Sequence, residues 1–322
     1  MSLKSLKITF LDASTLGDVE NMEDMHELGD FIKYDTTPSE QRIERLRGMD
    51  IAITNKVVID KDVMDACPDL KLVCIAATGM NNVDLDYAKE KGIEVKNVAG
   101  YSTESVAQSV FAMLFYLLHK SSYYDHYFKS GEYVTSPIFT HHGRSFWELR
   151  NKRFGIIGLG TIGKRVAEIA SAFGVEIVYF STSGKNMDNM YKSLDLETLL
   201  CTSDVVSVHC PLNEHTYNLI DTPELKMMKS SAFLLNMARG GIVNEKALAD
   251  AIDFGYIAGA GADVLTHEPI LPDNPLLKIK NKEKLFITPH IAWTSNESRK
   301  KLVEKIIYNI REFKEGGFIL KG

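Results

Sequence analysis

A glycine-rich turn between a predicted strand and a predicted helix constrains the fold of this 322-residue chain most strongly. The turn is Gly158-x-Gly160-x-x-Gly163, with the apolar run "RFGII" before it and the helix-like "TIGKRVAEIASAFG" beginning inside it. In that context the first glycine permits a tight turn, the second allows close approach to a pyrophosphate, and the third lets helix and strand pack closely. The first helical N–H groups, near Thr161 and Ile162, suit the phosphates. The pattern predicts a Rossmann-type domain that binds NAD or NADP.

The end of the next predicted strand bears on which dinucleotide is bound. An Asp or Glu about 20 residues after the turn normally binds the ribose 2'-hydroxyl and repels a 2'-phosphate. Here the strand "VEIVYFS" leads instead into three hydroxyl side chains and a lysine: Ser181, Thr182, Ser183 and Lys185. Hydroxyls and an ammonium can hold a phosphate, which a carboxylate could not. These residues favour NADP(H), and a merely neutral loop that accepts NAD(H) stays open.

Predicted strands alternate with predicted helices in two series, which indicates an α/β protein with parallel sheets. In the first series the strands are expected at 7–12, 31–35, 50–55, 70–78 and 93–98, with helices at 38–48 and 60–68. In the second series the strands are expected at 153–157, 175–181, 204–211, 232–238, 259–264 and 285–290, with helices at 161–174 and 244–255 and a last one at 296–317. The apolar segment 101–131 between the two series is predicted as one long buried helix.

Charge and hydropathy argue against several kinds of partner. The formal net charge of -6 disfavours nucleic acid and anionic membranes. The longest apolar run, Val110 to Leu118, is too short to span a bilayer. The N-terminus leads directly into a predicted strand without a signal peptide, so a cytoplasmic location is expected.

Cysteine and histidine spacing predicts no metal site. Four cysteines, at 67, 74, 201 and 210, form neither a CxxC pair nor a cluster with histidines, which is typical of a reduced compartment. Cys74 and Cys201 stand among apolar residues and are expected in the core. The adjacent His141 and His142 occupy a polar segment and are expected to be solvated.

Three charged residues follow three predicted strands of the second series, where ligands of such sheets bind. Arg239 follows "LLNMA", Glu268 follows "GADV", and His290 ends "ITPH". An arginine fork suits the carboxylate and carbonyl oxygen of a 2-keto acid. Protonated His290 would donate to the carbonyl oxygen as hydride reaches the carbon, and Glu268 would favour the charged imidazole. Together with the glycine turn, these residues predict hydride transfer to a 2-keto acid.

With these residues identified, the chain resembles the D-isomer-specific 2-hydroxyacid dehydrogenase family. The resemblance covers almost the whole chain through ordered motifs: "LKLVCIAATGMNNVD", "GIIGLGTIGKRVA", "VHCPLNEHTYNLI", "NMARGGIVNEKALADAI", "GAGADVLTHEP" and "ITPHIAW". It implies an NAD(P)-dependent oxidoreductase in which Arg239, Glu268 and His290 are the catalytic residues.

The resemblance also implies further ligand contacts. The backbone around Thr78, Gly79 and Met80 would bind the substrate carboxylate, and Trp293 would lie near the substrate. The implied cofactor contacts, besides the glycine turn and the hydroxyl loop, are Thr103, His209, Cys210, Pro211, Met237, Ala238, Asp263 and His290. Among these, Asp263 would reach the nicotinamide amide.

The implied fold has two Rossmann-like domains, one of them flavodoxin-like, with the active-site cleft between them. Residues 1–100 and 291–322 would form a discontinuous substrate-binding domain, and residues 101–290 the NAD(P)-binding domain. A homodimer through the nucleotide domain and the linking helix is implied, which fits the apolar segment 103–120. Tyr123, Tyr124, Tyr127 and Phe128 are expected to be interface aromatics. Asn151 stands where the family usually has glycine, and this difference is expected to affect only a turn.

Within the family, "NVAGYSTESVAQ" and "PHIAW" are most similar to glycerate dehydrogenases, which are hydroxypyruvate and glyoxylate reductases. The predicted reaction reduces hydroxypyruvate to D-glycerate or glyoxylate to glycolate. Two alternatives stay open: an enzyme for D-lactate or another D-2-hydroxy acid, and a dinucleotide-sensing corepressor-like protein that keeps the same three residues.

Overall fold

The computed structural model describes residues 5–185 and 188–317, which divide into two compact units. The first unit contains the residues up to Ser102 and those from Thr294 onward, and the second is Thr103–Trp293. Residues 1–4 and 318–322, the outer ends of the predicted substrate-binding domain, lie outside the described part of the chain.

Strands and helices alternate along both units. The strands are β1 (Leu6–Phe10), β2 (Gly29–Lys33), β3 (Ile51–Thr54), β4 (Leu72–Ile75), β5 (Glu94–Lys96), β6 (Arg153–Ile157), β7 (Glu176–Phe180), β8 (Lys192–Ser193), β9 (Val205–Val208), β10 (Phe233–Asn236), β11 (Gly259–Ala262) and β12 (Leu285–Ile287). The helices are α1 (Arg42–Leu46), α2 (Lys61–Ala66), α3 (Leu85–Lys91), α4 (Thr103–Leu118), α5 (Ser121–Lys129), α6 (Thr161–Ser171), α7 (Leu196–Thr202), α8 (Thr222–Met227), α9 (Glu245–Phe254) and α10 (Asn296–Gly317).

The first unit is built on a five-stranded parallel sheet in the order β2-β1-β3-β4-β5. This is the doubly wound order of flavodoxin-like folds. All residues of the central strands β3 and β4 are buried, as continuous apolar runs require when both faces of a sheet are covered. Asp60 and Asp84 cap the amino ends of α2 and α3 with their carboxylates, and Gly92 ends α3 in the left-handed conformation.

The second unit is built on a seven-stranded parallel sheet in the order β12-β11-β10-β9-β6-β7-β8. The chain reverses its direction of travel across the sheet between β6 and β9, which is the switch point of a Rossmann fold. Val206 and Leu234 belong to one apolar cluster, and their neighbours Val205 and Leu235 to another. Successive strand residues thus pack on opposite faces, so both faces of this sheet are covered. The predicted fold class, two parallel-sheet α/β domains, is confirmed; the cleft between them stays a prediction.

The segment predicted as one helix over 101–131 is two helices, α4 and α5. Lys120 has a positive φ of 55° and breaks the helical path between them. The prediction of a core position for Cys201 was also wrong, because α7 turns Leu199 and Leu200 inward and leaves the Cys201 thiol exposed. Cys74 is buried as expected.

Asn151 adopts a positive φ of 62° and donates its backbone N–H to the carbonyl of Gly174 at 2.9 Å. A left-handed residue at this turn explains why glycine would be common there, and asparagine tolerates the same conformation.

Within residues 5–185 and 188–317, no helix has both the length and the apolar character of a membrane span.

Candidate active site

The parallel strands of the second unit carry most of the predicted site residues to one edge of the sheet. Gly158 follows β6, Ser181 follows β7, and His209 follows β9. Arg239 comes shortly after β10, and His290 shortly after β12. Because all these strands run in parallel, the residues lie at their carboxyl ends, where α/β sheets bind ligands.

The glycine turn has the geometry that a dinucleotide pyrophosphate requires. Gly158 has a φ of 93°, and a Cβ on it would lie 2.6 Å from the backbone nitrogen of Cys210. A Cβ on Gly163 would lie 2.3 Å from the carbonyl oxygen of Gly158, so a side chain fits at neither position. A Cβ on Gly160 would meet nothing within 4 Å, so open space lies beside the start of α6. With Thr161 as its first residue, α6 directs its amino end at this space, and the turn therefore fits a bound dinucleotide.

The hydroxyl loop after β7 contains an unsatisfied polar atom. The Ser181 Oγ is buried and has no hydrogen-bond partner in the described part of the chain. Thr182 is half-buried, while Ser183 and Lys185 are exposed. A buried hydroxyl without a partner requires an explanation, and a ligand oxygen would supply its missing hydrogen bond.

His209 is held by hydrogen bonds beside the glycine turn. Its Nε2 lies 2.8 Å from the Ser207 Oγ, and its backbone N–H donates to the carbonyl of Ile157 at 2.7 Å. Burial lowers the pKa of His209 to about 3, because a charged imidazole would lose its hydration there. Burial likewise raises the pKa of the adjacent Cys210 thiol to about 11. Pro211 completes this segment, and its carbonyl accepts from the Thr216 hydroxyl at 2.7 Å.

A buried asparagine shapes the turn that carries Arg239. The side chain of Asn236 accepts from the Ala238 N–H at 3.1 Å and donates to the Arg239 carbonyl at 3.0 Å. Met237 and Ala238 are buried, whereas Arg239 is exposed and donates from Nη1 to the Ala238 carbonyl at 2.7 Å. Asn236 was not predicted as a site residue, although a polar residue at the end of a buried strand was a usable signal.

The side chains of His290 and Glu268 form a hydrogen-bonded pair, as expected from the sequence. The Nδ1 of His290 lies 2.7 Å from the Oε2 of Glu268. The side chains are 28% exposed for His290 and 32% exposed for Glu268. The other carboxylate oxygen, Oε1, accepts from the Leu265 N–H at 2.9 Å, which fixes the carboxylate. The imidazole therefore places its Nδ1 on the carboxylate and keeps its Nε2 for another partner.

The turn that carries His290 is held by the buried carboxylate of Asp263. The carboxylate accepts from the Thr288 hydroxyl at 2.6 Å and from the N–H groups of Ile291 and Ala292 at 2.8 Å each. The His290 N–H donates to the Asp263 carbonyl at 2.9 Å, and His290 itself has a left-handed φ of 55°. Burial raises the pKa of Asp263, while these hydrogen bonds lower it in part. Asp263 thus anchors the His290 turn, and its contact with the nicotinamide amide stays a prediction.

The loops after β10 and β11 lie directly against each other. A Cβ on Gly240 would lie 1.9 Å from the carbonyl oxygen of Leu265, so only glycine permits this approach. Leu265 in turn binds Glu268, and Glu268 binds His290. The structure therefore joins the turn of Arg239 to the Glu268–His290 pair through backbone contact.

The remaining predicted contacts of the second unit lie around the start of α4. Thr103 is its first residue, and the Ser105 hydroxyl donates to the Ala292 carbonyl at 2.6 Å. Trp293 is half-buried and packs against the apolar cluster of this unit. The amino end of α4 is thereby tied to the chain that follows His290.

The predicted substrate-carboxylate segment belongs to the first unit, in the loop after β4. The Thr78 hydroxyl donates to the Val98 carbonyl at 3.0 Å, and the Thr78 carbonyl accepts from Asn97 Nδ2 at 2.6 Å. Gly79 and Met80 are half-buried. These bonds fix the start of the loop to Asn97 and Val98, the two residues that follow β5.

The prediction that both adjacent histidines are solvated was wrong for His141. Its ring stacks on Tyr127 at 3.9 Å between centroids, and its Nε2 lies 2.7 Å from the Tyr123 hydroxyl. His142 is exposed. In the described residues, no group of three or more His, Cys, Asp or Glu side chains is placed to hold a metal ion.

Comparison with known proteins identifies the family. The family model "D-isomer specific 2-hydroxyacid dehydrogenase, NAD binding domain" matches residues 111–292. The chain is 37% identical to the hydroxypyruvate reductase of Blautia hydrogenotrophica, over 97% of this chain and 98% of that protein. It is 36% identical to the glycerate dehydrogenase of Methylorubrum extorquens, over 96% of both.

A solved structure gives the same result at the level of the fold. An acyclic imino acid reductase in complex with NADPH and D-Arg superposes with a TM-score of 0.86 at 32% identity, covering 97% of this chain and 98% of the other. The nicotinamide cofactor predicted from the glycine turn agrees with the family's NAD-binding domain. The chain belongs to the D-isomer specific 2-hydroxyacid dehydrogenase family of oxidoreductases.

Proposed function

We propose that this enzyme reduces hydroxypyruvate to D-glycerate and glyoxylate to glycolate, with a proton from His290. The observation that carries the proposal is the 2.7 Å pair of His290 Nδ1 and Glu268 Oε2 at the carboxyl edge of a Rossmann sheet. The two relatives named hydroxypyruvate reductase and glycerate dehydrogenase support this substrate class.

Each proposed role follows from the position of the residue. When bound, NADH or NADPH supplies the hydride. Arg239 donates one guanidinium N–H to the Ala238 carbonyl. Its other N–H donors hold the substrate carboxylate and polarise the keto group of the substrate. His290, oriented by Glu268, donates a proton from Nε2 to the carbonyl oxygen as the alkoxide charge develops.

The two units divide the binding between them in this proposal. The second unit binds the cofactor, with the glycine turn and α6 on the pyrophosphate and the segments at 209–211 and 237–238 beside it. The first unit binds the substrate carboxylate through the backbone of residues 78–80, and Trp293 lies near the substrate.

Steady-state reduction of hydroxypyruvate, glyoxylate and pyruvate tests the proposal. We expect kcat/KM to be highest for hydroxypyruvate or glyoxylate. We also expect His290→Ala to lower kcat by about 10²-fold or more, the scale of general acid catalysis. The matched control is His215→Ala, an exposed histidine of the same unit, which should keep full activity. Highest kcat/KM for pyruvate would instead indicate a D-lactate enzyme, and cofactor binding without any turnover would indicate a dinucleotide-sensing protein.

We further propose that NADPH is preferred over NADH. The support is the buried Ser181 Oγ without a partner, the neighbouring hydroxyls of Thr182 and Ser183, and the exposed ammonium of Lys185. An imino acid reductase of the same fold is solved with NADPH. The ratio of kcat/KM for the two cofactors, at fixed hydroxypyruvate, measures the preference, and a ratio in favour of NADH would refute it.

A homodimer is the proposed assembly, through the aromatic segment that follows α4. Phe139 is 89% exposed, and Phe128, Val134 and Ile138 are exposed beside it in sequence. Apolar side chains concentrated in this way are typical of a protein interface. Light scattering should give twice the chain mass, and Phe139→Asp should halve it. Phe254→Asp, at a residue 70% exposed elsewhere on this unit, is the control that should leave the mass unchanged.

The proposed location is the cytoplasm. All four cysteines lie in the described part of the chain and are free thiols, three of them buried. Free thiols are typical of a reducing compartment. Fractionation of cells that express a tagged chain tests this, and recovery outside the cytoplasm would contradict it.

A further inference from the structure

The first unit contains a buried carboxylate that the proposed reaction does not use. Asp12 follows β1 and is only 4% exposed. It stands where it could cap the short 3₁₀ turn Ala13–Thr15, yet its side chain makes no capping hydrogen bond there. The carboxylate is directed at a different loop.

That loop is the segment 55–59 after β3, and three successive backbone N–H groups bind the Asp12 carboxylate. Asn55 donates to Oδ1 at 2.8 Å, while Lys56 and Val57 donate to Oδ2 at 2.6 and 3.2 Å. Three donors on one buried carboxylate fix the path of the loop, because each bond to an ionised acceptor is stronger than a bond to a neutral one.

The same loop is bound on its other side to the segment 78–83 after β4. Asn82 Nδ2 donates to the Val57 carbonyl at 3.1 Å, and the Asn82 carbonyl accepts from the Ile59 N–H at 2.8 Å. Ile59 and Val83 also pair as an isolated parallel bridge. The strands β1, β3 and β4 are neighbours in the sheet, so the loops at their carboxyl ends lie side by side in this order.

We propose that Asp12 is a positioning residue for substrate binding: through the loop 55–59 and Asn82 it fixes the backbone of residues 78–80 for the substrate carboxylate. This inference rests on the proposed function, which assigns the carboxylate to residues 78–80. Asp12 touches neither substrate nor cofactor in this role. Its loss therefore weakens the ground-state and transition-state binding of the acid together, and it leaves the chemistry of His290 intact.

The experiment compares Asp12→Asn with a matched control, Asp50→Asn. Asp50 is also a buried aspartate of this unit, 5% exposed, and accepts from the Lys7 N–H at 3.0 Å and from Lys71 Nζ at 2.7 Å. It precedes β3 and lies at the opposite, amino edge of the sheet. The Asp50 variant therefore reports the effect of losing a buried carboxylate without any effect on the loop 55–59.

We expect Asp12→Asn to raise KM for hydroxypyruvate about tenfold with kcat within about threefold of the unmodified enzyme, the pattern of lost uniform binding. Asp50→Asn should keep KM. The Kd for NADPH, from fluorescence titration, should be the same in all three proteins. Equal KM values for the Asp12 and Asp50 variants would overturn the inference.

Hydrogen exchange provides a readout that does not depend on turnover. Amides in peptides that cover 55–59 and 78–83 should exchange faster in Asp12→Asn than in Asp50→Asn, and unchanged exchange at 78–83 would overturn the inference. If the unmodified protein reduces no keto acid, the proposed function fails, while the exchange data still decide whether Asp12 holds this segment. If Asp12→Asn does not fold, Asn82→Ala takes its place. This variant removes the hydrogen bond from Asn82 Nδ2 to the Val57 carbonyl, and an unchanged KM would refute the proposed link between the loop 55–59 and substrate binding.

Discussion

The substitution Asp263→Asn tests whether the Asp263 carboxylate holds the turn that carries His290. The carboxylate is 3% exposed and accepts three hydrogen bonds from residues 288–292. Asparagine keeps one acceptor oxygen but turns an NH₂ group towards backbone N–H donors, so at least one buried N–H loses its partner. Such a loss costs about 1–3 kcal/mol of folding free energy.

The removal of a buried charge partly offsets that loss of stability. Burial raises the pKa of Asp263, which means that the folded protein holds its charge at a cost that the neutral asparagine does not carry. We therefore expect a net destabilisation of about 1–2 kcal/mol, or a fall in Tm of roughly 2–8 °C for a unit of this size. The effect on catalysis should be larger, because a shift of about 1 Å in a reacting group can cost 10²-fold in rate. The left-handed His290, φ 55°, is free to relax once the turn loosens.

The assay combines thermal unfolding, steady-state kinetics and cofactor titration. The matched control is Asp204→Asn. Asp204 is a buried aspartate of the same unit that accepts from the Arg153 N–H and from Lys229 Nζ at 2.9 Å each, and it precedes β9 at the opposite edge of the sheet. Both variants should lose similar stability, and only Asp263→Asn should lose kcat. A normal kcat together with a raised Kd for NADPH would refute the anchoring role and would favour the predicted contact of Asp263 with the nicotinamide amide.

Three further changes have defined outcomes. Arg239→Ala should lower kcat/KM for hydroxypyruvate by at least about 10²-fold, since a charged hydrogen-bond pair to the substrate is lost, and an unchanged kcat/KM would show that Arg239 does not bind substrate. Ser181→Asp should shift the ratio of kcat/KM for NADPH and NADH towards NADH, because a carboxylate repels a 2'-phosphate; an unaltered ratio would place Ser181 away from the ribose. His209 has a folded-state pKa of about 3, below the unfolded value, so its contribution to stability falls as the pH drops below about 6.5, by roughly 2 kcal/mol at pH 5. In urea unfolding of the cofactor-free protein, His209→Gln should lose less stability between pH 7 and pH 5 than the unmodified chain, and identical pH profiles would contradict the burial of a neutral His209.

The strands and the glycine turn could be predicted from sequence because their signals are local. Buried parallel strands are continuous apolar runs, and Gly158 and Gly163 occupy positions where a Cβ would collide with backbone. Both features leave a mark in the residues themselves. The short β8, only Lys192–Ser193, leaves no such mark and was not predicted.

The errors arose where tertiary contact decides the outcome. Periodicity carried the predicted helix through Lys120, since a single left-handed residue has no signature when it is not glycine. Cys201 follows two buried leucines, and hydropathy alone could not tell which face of α7 it occupies. His141 is half-buried because its ring contacts Tyr123 and Tyr127, which lie on the preceding helix α5.

The sequence was sufficient to predict that Arg239, Glu268 and His290 follow strands of one sheet, but not that Asn236 and Asp263 hold the neighbouring turns. Arg239, Glu268 and His290 stand out because charge at a strand end is rare without function. Asn236 and Asp263 act through hydrogen bonds to the backbone of their own or a neighbouring loop. Most of these partners are backbone N–H and carbonyl groups, which do not depend on residue type, so the sequence does not reveal which of them are bound.

The configuration of the product tests the proposed reaction most directly. The protein is incubated with hydroxypyruvate and NADPH, and the glycerate formed is resolved by chiral chromatography beside the His290→Ala variant. D-glycerate from the unmodified enzyme, with a rate lower by about 10²-fold in the variant, is the predicted result. L-glycerate, or D-glycerate formed equally fast without His290, would contradict the assignment of the reaction and of its proton donor.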